Sequence, residues 1–110
     1  MKMIAVLLAA AMAATSAPAL SMGQTQQIAK SNQPVPAADA SRAAAFNACV
    51  SREYVAGRDR AIDNAMGKYR DEYTLVSRSV TAKNLPEFQK HLRSAEVLAA
   101  DVGTSCKLNG

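Results

Sequence analysis

Residues 84–106 read NLPEFQKHLRSAEVLAADVGTSC. Within them Leu85, Phe88, Leu92, Ala95, Ala99, Val102 and Cys106 follow one another at spacings of 3, 4, 3, 4, 3 and 4. A helix turns once in about 3.6 residues, so this alternation keeps every one of those residues on a single stripe. An uninterrupted stripe of this kind is a seam for packing against another helix. Asn84 as N-cap and Glu87 three positions on form a capping-box pattern, with Asn in place of Ser or Thr. Pro86 falls in the first turn, where the N–H it lacks would be unpaired anyway. Gly103 is the expected stop, with the tail continuing to Cys106.

A seam needs a partner, and the chain upstream supplies one. Val55, Ile62, Met66, Tyr69, Tyr73, Val76 and Val80 fall at a mixed three-and-four spacing. Asp59 occupies the slot between Val55 and Ile62, and Gly57 precedes it by two. A buried Asp without a partner is costly. Two arrangements avoid that cost: a break at Gly57 with Asp59 as N-cap of a new helix, or a continuous helix with Asp59 at its solvent edge. The break is the cheaper. Further upstream, Asp39 or Ser41 can cap a first helix, on which Phe46, Cys49 and Val50 share one side. Ser77 to Lys83 holds weak helix formers and carries the turn. The sequence thus predicts an all-α domain over residues 39–110, with helices over 39–56, 59–79 and 84–103. That is a three-helix bundle, or a simple helical hairpin if the break is absent.

Length favours the bundle. Helix rise puts Cys49 about 45 Å from a turn at Val80, while Asn84 to Cys106 spans only about 33 Å. A straight hairpin leaves the two sulfurs mismatched. A first segment folded back at Gly57, or an extended tail after Gly103, brings them together. Cys49 and Cys106 are the only two cysteines, so they allow one intrachain disulfide. Closing a loop of nearly 60 residues is worth roughly 4 kcal/mol by chain entropy. The alternatives are metal binding or a reactive thiol at these cysteines, or a pair of cysteines bonded across a homodimer. No CxxC or CxxCH motif is present, which removes the thioredoxin-type and c-haem readings.

Ahead of the helices, residues 20–38 are rich in Gln, Ser, Asn and Pro and read as a flexible linker. Residues 1–19 read as a signal peptide. Lys2 gives the positive n-region, Met3 to Ala14 an uncharged apolar stretch, and Ala17-Pro18-Ala19 the small residues before cleavage at 19/20. Ala19-Leu20-Ser21 offers an alternative cut at 21/22. The apolar run is too short for a membrane span, which takes about 20 residues. Export of a bacterial type, to the periplasm or exterior, places both cysteines in an oxidising compartment.

The chain has 110 residues and a net charge of +4 from 13 basic and 9 acidic side chains. Losing Lys2 with the leader leaves 12 − 9 = +3. Bases and acids alternate along the helices, from Arg58, Asp59 and Arg60 to Lys90 and Glu96. This is a mixed solvated face and not a phosphate-tracking stripe, so nucleic acid is not an expected partner. His91 is the only histidine. Glu87 stands one turn before it, but two ligands rarely hold a structural metal. One His and no Gly-rich elbow leave a serine triad without support. Asp59 and Asp63 read as a cap and a first-turn charge. Asp71 and Glu72 are adjacent and diverge by about 100° around a helix.

No catalytic, cofactor or metal residue is therefore assigned, and an enzyme is not expected. The expected role is protein–protein contact by an exported helical protein. A chaperone-like stress protein that binds unfolded clients is the alternative, and a peripheral binder of membrane surfaces is the second. In size, export and single disulfide the chain resembles small periplasmic helical proteins such as the acid-stress chaperones. The resemblance is architectural and rests on no shared motif.

Overall fold

The computed structural model describes residues 27–108. The signal peptide, both cleavage sites and residues 20–26 of the linker lie outside the described residues. Three helices follow: α1 (Ala37–Glu53), α2 (Arg60–Thr81) and α3 (Leu85–Val102). Among the described residues there is no strand, only an isolated parallel bridge between Gln33 and Asn84.

The break lies where the Gly57–Asp59 pattern put it. Tyr54 leaves α1 in an extended conformation, its N–H still donating to the Val50 carbonyl at 3.0 Å. Gly57 sits at φ +78°, a left-handed conformation that a β-carbon would disfavour. Asp59 then caps α2, its carboxylate accepting from Ala61 N at 2.7 Å and Ile62 N at 3.3 Å. The break also removes Val55 from the α2 stripe, and it lies 52% exposed in the loop.

At its start α1 departs from expectation. It begins at Ala37, two residues before the expected boundary, and neither Asp39 nor Ser41 caps it. Pro36 is the N-cap residue and caps with no side chain; its carbonyl accepts the first helical bonds, from Asp39 N and Ala40 N at 3.0 Å each. Asp39 lies in the first turn, where its charge suits the free N–H groups, and pairs with Arg42 at 2.9 Å.

Both later helices end in the same way. After α3, Thr104 N donates to Ala99 O at 3.2 Å and Gly103 N to Ala100 O at 3.0 Å, with Gly103 at φ +92°. After α2, Asn84 N donates to Ser79 O at 3.0 Å and Lys83 N to Val80 O at 3.2 Å, with Lys83 at φ +54°. Each is a Schellman motif, which satisfies helix carbonyls that would otherwise be unpaired.

The linker reaches this second motif. Ser31 donates to the Lys83 carbonyl through both its N–H and its hydroxyl, at 3.3 and 3.1 Å. Leu85 N donates to Gln33 O at 2.9 Å, and Asn84 Nδ2 donates to Ala29 O. From Ala29 to Gln33 the segment expected as a linker is therefore a strap across the α2–α3 turn. Its last two residues, Ala37 and Ala38, belong to α1.

Two apolar clusters run the length of the bundle. Phe46 and Val50 of α1, Met66 and Tyr69 of α2, and Ala95, Ala99 and Val102 of α3 form one. Ala43, Val76 and Phe88 form the other, nearer the α2–α3 turn, with Val35, between the strap and α1, against it. Ala43 thus lies toward the turn and Val50 toward the open end, so α1 runs antiparallel to α2 and parallel to α3. The closest backbone packing is between α2 and α3. The α3 seam read from the sequence is the buried one: Phe88, Ala95, Ala99 and Val102 are fully enclosed.

Candidate functional site

Cys49, near the end of α1, is bonded to Cys106, four residues past α3, with their Cα atoms 6.0 Å apart. The bond ties the first helix to the tail beyond the last. Glu53 stands one turn after Cys49. Its Oε1 accepts from Ser105 N at 3.0 Å, and its Oε2 lies 3.7 Å from Cys49 Sγ. The disulfide is thus flanked by a carboxylate that grips the backbone next to Cys106. The sequence reading did not single out Glu53. Its i, i+4 spacing from Cys49, which puts both on one helix face, was the available signal.

A second polar cluster centres on His91. Its Nδ1 is 2.9 Å from Glu72 Oε1 on α2, and its Nε2 is 3.0 Å from Glu87 Oε1 on α3. The His91 side chain is only 12% exposed. Glu87 was expected beside it; Glu72 was not. Glu72 lies on the flank of α2, three residues before the half-buried Leu75. That flank faces α3 once the hairpin closes. A neutral imidazole has one donor, so both contacts are hydrogen bonds only when both ring nitrogens carry hydrogen. The two carboxylates take opposite edges of the ring, which makes His91 a bridge between helices. Asp71 points away, exposed, as the angular argument required. A cleft of about 380 Å³ opens beside the bridge, lined by Glu87, Lys90 and His91 of α3, Leu75 of α2, Asn84, and Gln27, Ile28 and Ala29 at the start of the strap.

A third cluster closes the α1–α2 loop. The Tyr54 hydroxyl donates to Asp63 Oδ1 at 2.6 Å, and Gly57 N donates to both Asp63 oxygens at 3.1 and 3.2 Å. These bonds hold the Asp63 carboxyl below its ordinary value, the Tyr54 hydroxyl contributing most and the Gly57 N–H next, against a smaller opposing effect of desolvation. The Tyr54 hydroxyl is raised by the same bond, while the Arg70 guanidinium, 5.5 Å from its ring centre, pulls the other way. Asp63 is therefore more than a first-turn charge; it anchors the loop. Tyr69 is fully buried, its hydroxyl donating to Asn47 Oδ1 at 2.9 Å. Burial raises its ionisation far above the tyrosine norm, and the neighbouring Tyr73 adds to the effect.

No protein-family model, no curated protein and no solved structure matches this chain.

Proposed function

We propose that this is an exported helical protein that acts in the periplasm or exterior through protein–protein contact and not through catalysis. The observation that carries the reading is that the polar groups of each cluster are engaged with one another within the fold. His91 stands between the carboxylates of Glu72 and Glu87, Tyr54 and Gly57 occupy Asp63, and Glu53 holds Ser105. Groups engaged in this way position the helices, the α1–α2 loop and the tail after α3. What faces outward is helix surface, including Val97 on α3, an apolar side chain left 65% exposed. The disulfide supports export, since such bonds persist in oxidising compartments. No helix among the described residues is long and apolar enough to cross a membrane.

The test is site-specific photo-crosslinking in cells that express the full chain. A photoreactive residue at Val97 should give a covalent adduct of defined mass with another polypeptide in the periplasmic fraction. One at the exposed Lys68 of α2 should not. The intact mass of the exported chain should lack residues 1–19 or 1–21. A chain that keeps Met1, or one that gives no adduct at any outward position, would overturn the reading.

A further inference from the structure

Cys49, Glu53 and Cys106 each offer one donor atom, and these atoms all lie within 4.8 Å of one another. Among the described residues no other three His, Cys, Asp or Glu side chains meet in this way. While the disulfide is intact its sulfurs are not thiolates and have little to offer a metal ion. We propose that the reduced form of this protein holds one Zn2+ on the thiolates of Cys49 and Cys106 and the carboxylate of Glu53, with water as fourth ligand.

The geometry admits it. Zinc bonds to sulfur at about 2.3 Å and to carboxylate oxygen at about 2.0–2.2 Å, so the two sulfurs of a tetrahedral site stand about 3.7 Å apart. The Cα atoms, at 6.0 Å, are already close enough for that separation. Cys106 lies past Thr104, outside any helix, so its tail can yield by the small amount needed. Glu53 comes from the same helix face as Cys49 and is already fixed by Ser105. The chemistry selects zinc: thiolates favour it over magnesium or calcium, which prefer all-oxygen sites. The site also sits at the C-terminal end of α1, where unpaired carbonyls favour a cation. Cys49 and Cys106 are half-buried, so an ion can reach them.

A dithiol reductant gives two electrons and two protons to the disulfide. The S–S bond breaks, Cys49 and Cys106 become thiols, and the reductant closes to its own disulfide. Zn2+ then binds as both thiol protons pass to solvent. The metal replaces the covalent link between α1 and the tail, so the same three residues staple the fold in either redox state. This proposal does not depend on the contact function above.

The test uses the full chain, reduced with a dithiol, freed of reductant without air, and titrated with Zn2+ against a chromophoric chelator. Cd2+ serves as a spectroscopic probe for its thiolate charge-transfer band. The reduced chain should bind one ion and the oxidised chain none. Glu53→Gln should weaken zinc by at least about tenfold, the loss seen when even an outer-shell partner of a bound metal is removed. Gln keeps an oxygen for Ser105 N, so the tail contact survives the change. If reduction alone loosens the fold, zinc should restore helical circular dichroism in the wild-type chain. Equal affinity in Glu53→Gln, one zinc per two chains, or no binding by the reduced chain would overturn the proposal.

Discussion

Asp63 is the residue on which the α1–α2 loop depends, and its chemistry has a definite sign. Its carboxyl titrates below the ordinary range because the folded chain gives the charged form two donors, the Tyr54 hydroxyl and the Gly57 N–H shared between both oxygens. A carboxyl depressed by folding adds stability that is complete above its unfolded value and is lost as pH falls through its folded value. Asp63→Asn keeps an oxygen for the Tyr54 hydroxyl but removes the charge. The variant should be less stable than the wild type at neutral pH, and the gap should close on acidification. The group is solvent-accessible, so screening keeps the effect modest. Denaturant unfolding of both proteins along a falling pH series measures it. A gap that does not change with pH would mean that the charge of Asp63 contributes nothing. The neighbouring Asp59 was legible from the sequence as a cap, because an Asp in an apolar slot just after a Gly has few inexpensive explanations. The role of Asp63 was not, because its partner Tyr54 lies outside the helix and is brought back only by the loop.

Among the elements, α3 was the most legible: its seam, its Asn84 cap and its Gly103 stop each carried a local signal that the packing later used. The Asn84 side chain accepts from Glu87 N at 3.1 Å, one half of the expected capping box; the other half does not form, because Asn84 N donates to Ser79 O and the Glu87 carboxylate turns to His91. The α2–α3 turn was the least legible. Left-handed helix termini are normally marked by Gly or Asn, and here Lys83 holds that place at φ +54°. The strap was hidden for a related reason. Its residues bond through backbone atoms and a Ser hydroxyl, which no apolar periodicity reports. Together these features show that tertiary contact holds the turn in a conformation its own sequence disfavours. A left-handed conformation costs a residue with a β-carbon roughly 1–2 kcal/mol. Lys83→Gly should therefore raise unfolding stability by about 1 kcal/mol, after allowance for the greater freedom of Gly in the unfolded chain. The Ser31 bonds end on the Lys83 carbonyl and survive the change. Thermal or denaturant unfolding reads the gain, and a loss of stability would show that the Lys83 side chain matters more than its backbone conformation.

At the scale of the whole molecule the three helices are not held equally. Close backbone packing joins α2 to α3. The His91 bridge spans the same pair, and the strap fixes the turn between them. The first helix is attached by fewer means: Ala43, Phe46 and Val50 in the core, the Tyr69–Asn47 hydrogen bond, the Glu53–Ser105 hydrogen bond, and the disulfide. A domain of this size has only about 5–15 kcal/mol of net stability to lose, and cross-linking a loop closed over a separation of 57 residues is worth roughly 4 kcal/mol of it. The bond therefore matters most to α1. Reduction in the absence of metal should lower the unfolding free energy by about 2–5 kcal/mol. It should also act unevenly, so that amides of α1 lose hydrogen-exchange protection before those of α2 and α3. Alkylation of the unreduced protein should label neither thiol, and non-reducing electrophoresis should show a monomer. A band at twice the mass would place the bond between chains. Uniform loss of protection across all three helices would mean that the hairpin has no stability of its own. In that case the disulfide would support the whole bundle through α1, because the α2–α3 seam is closed on its third side only when Phe46 and Val50 are in place.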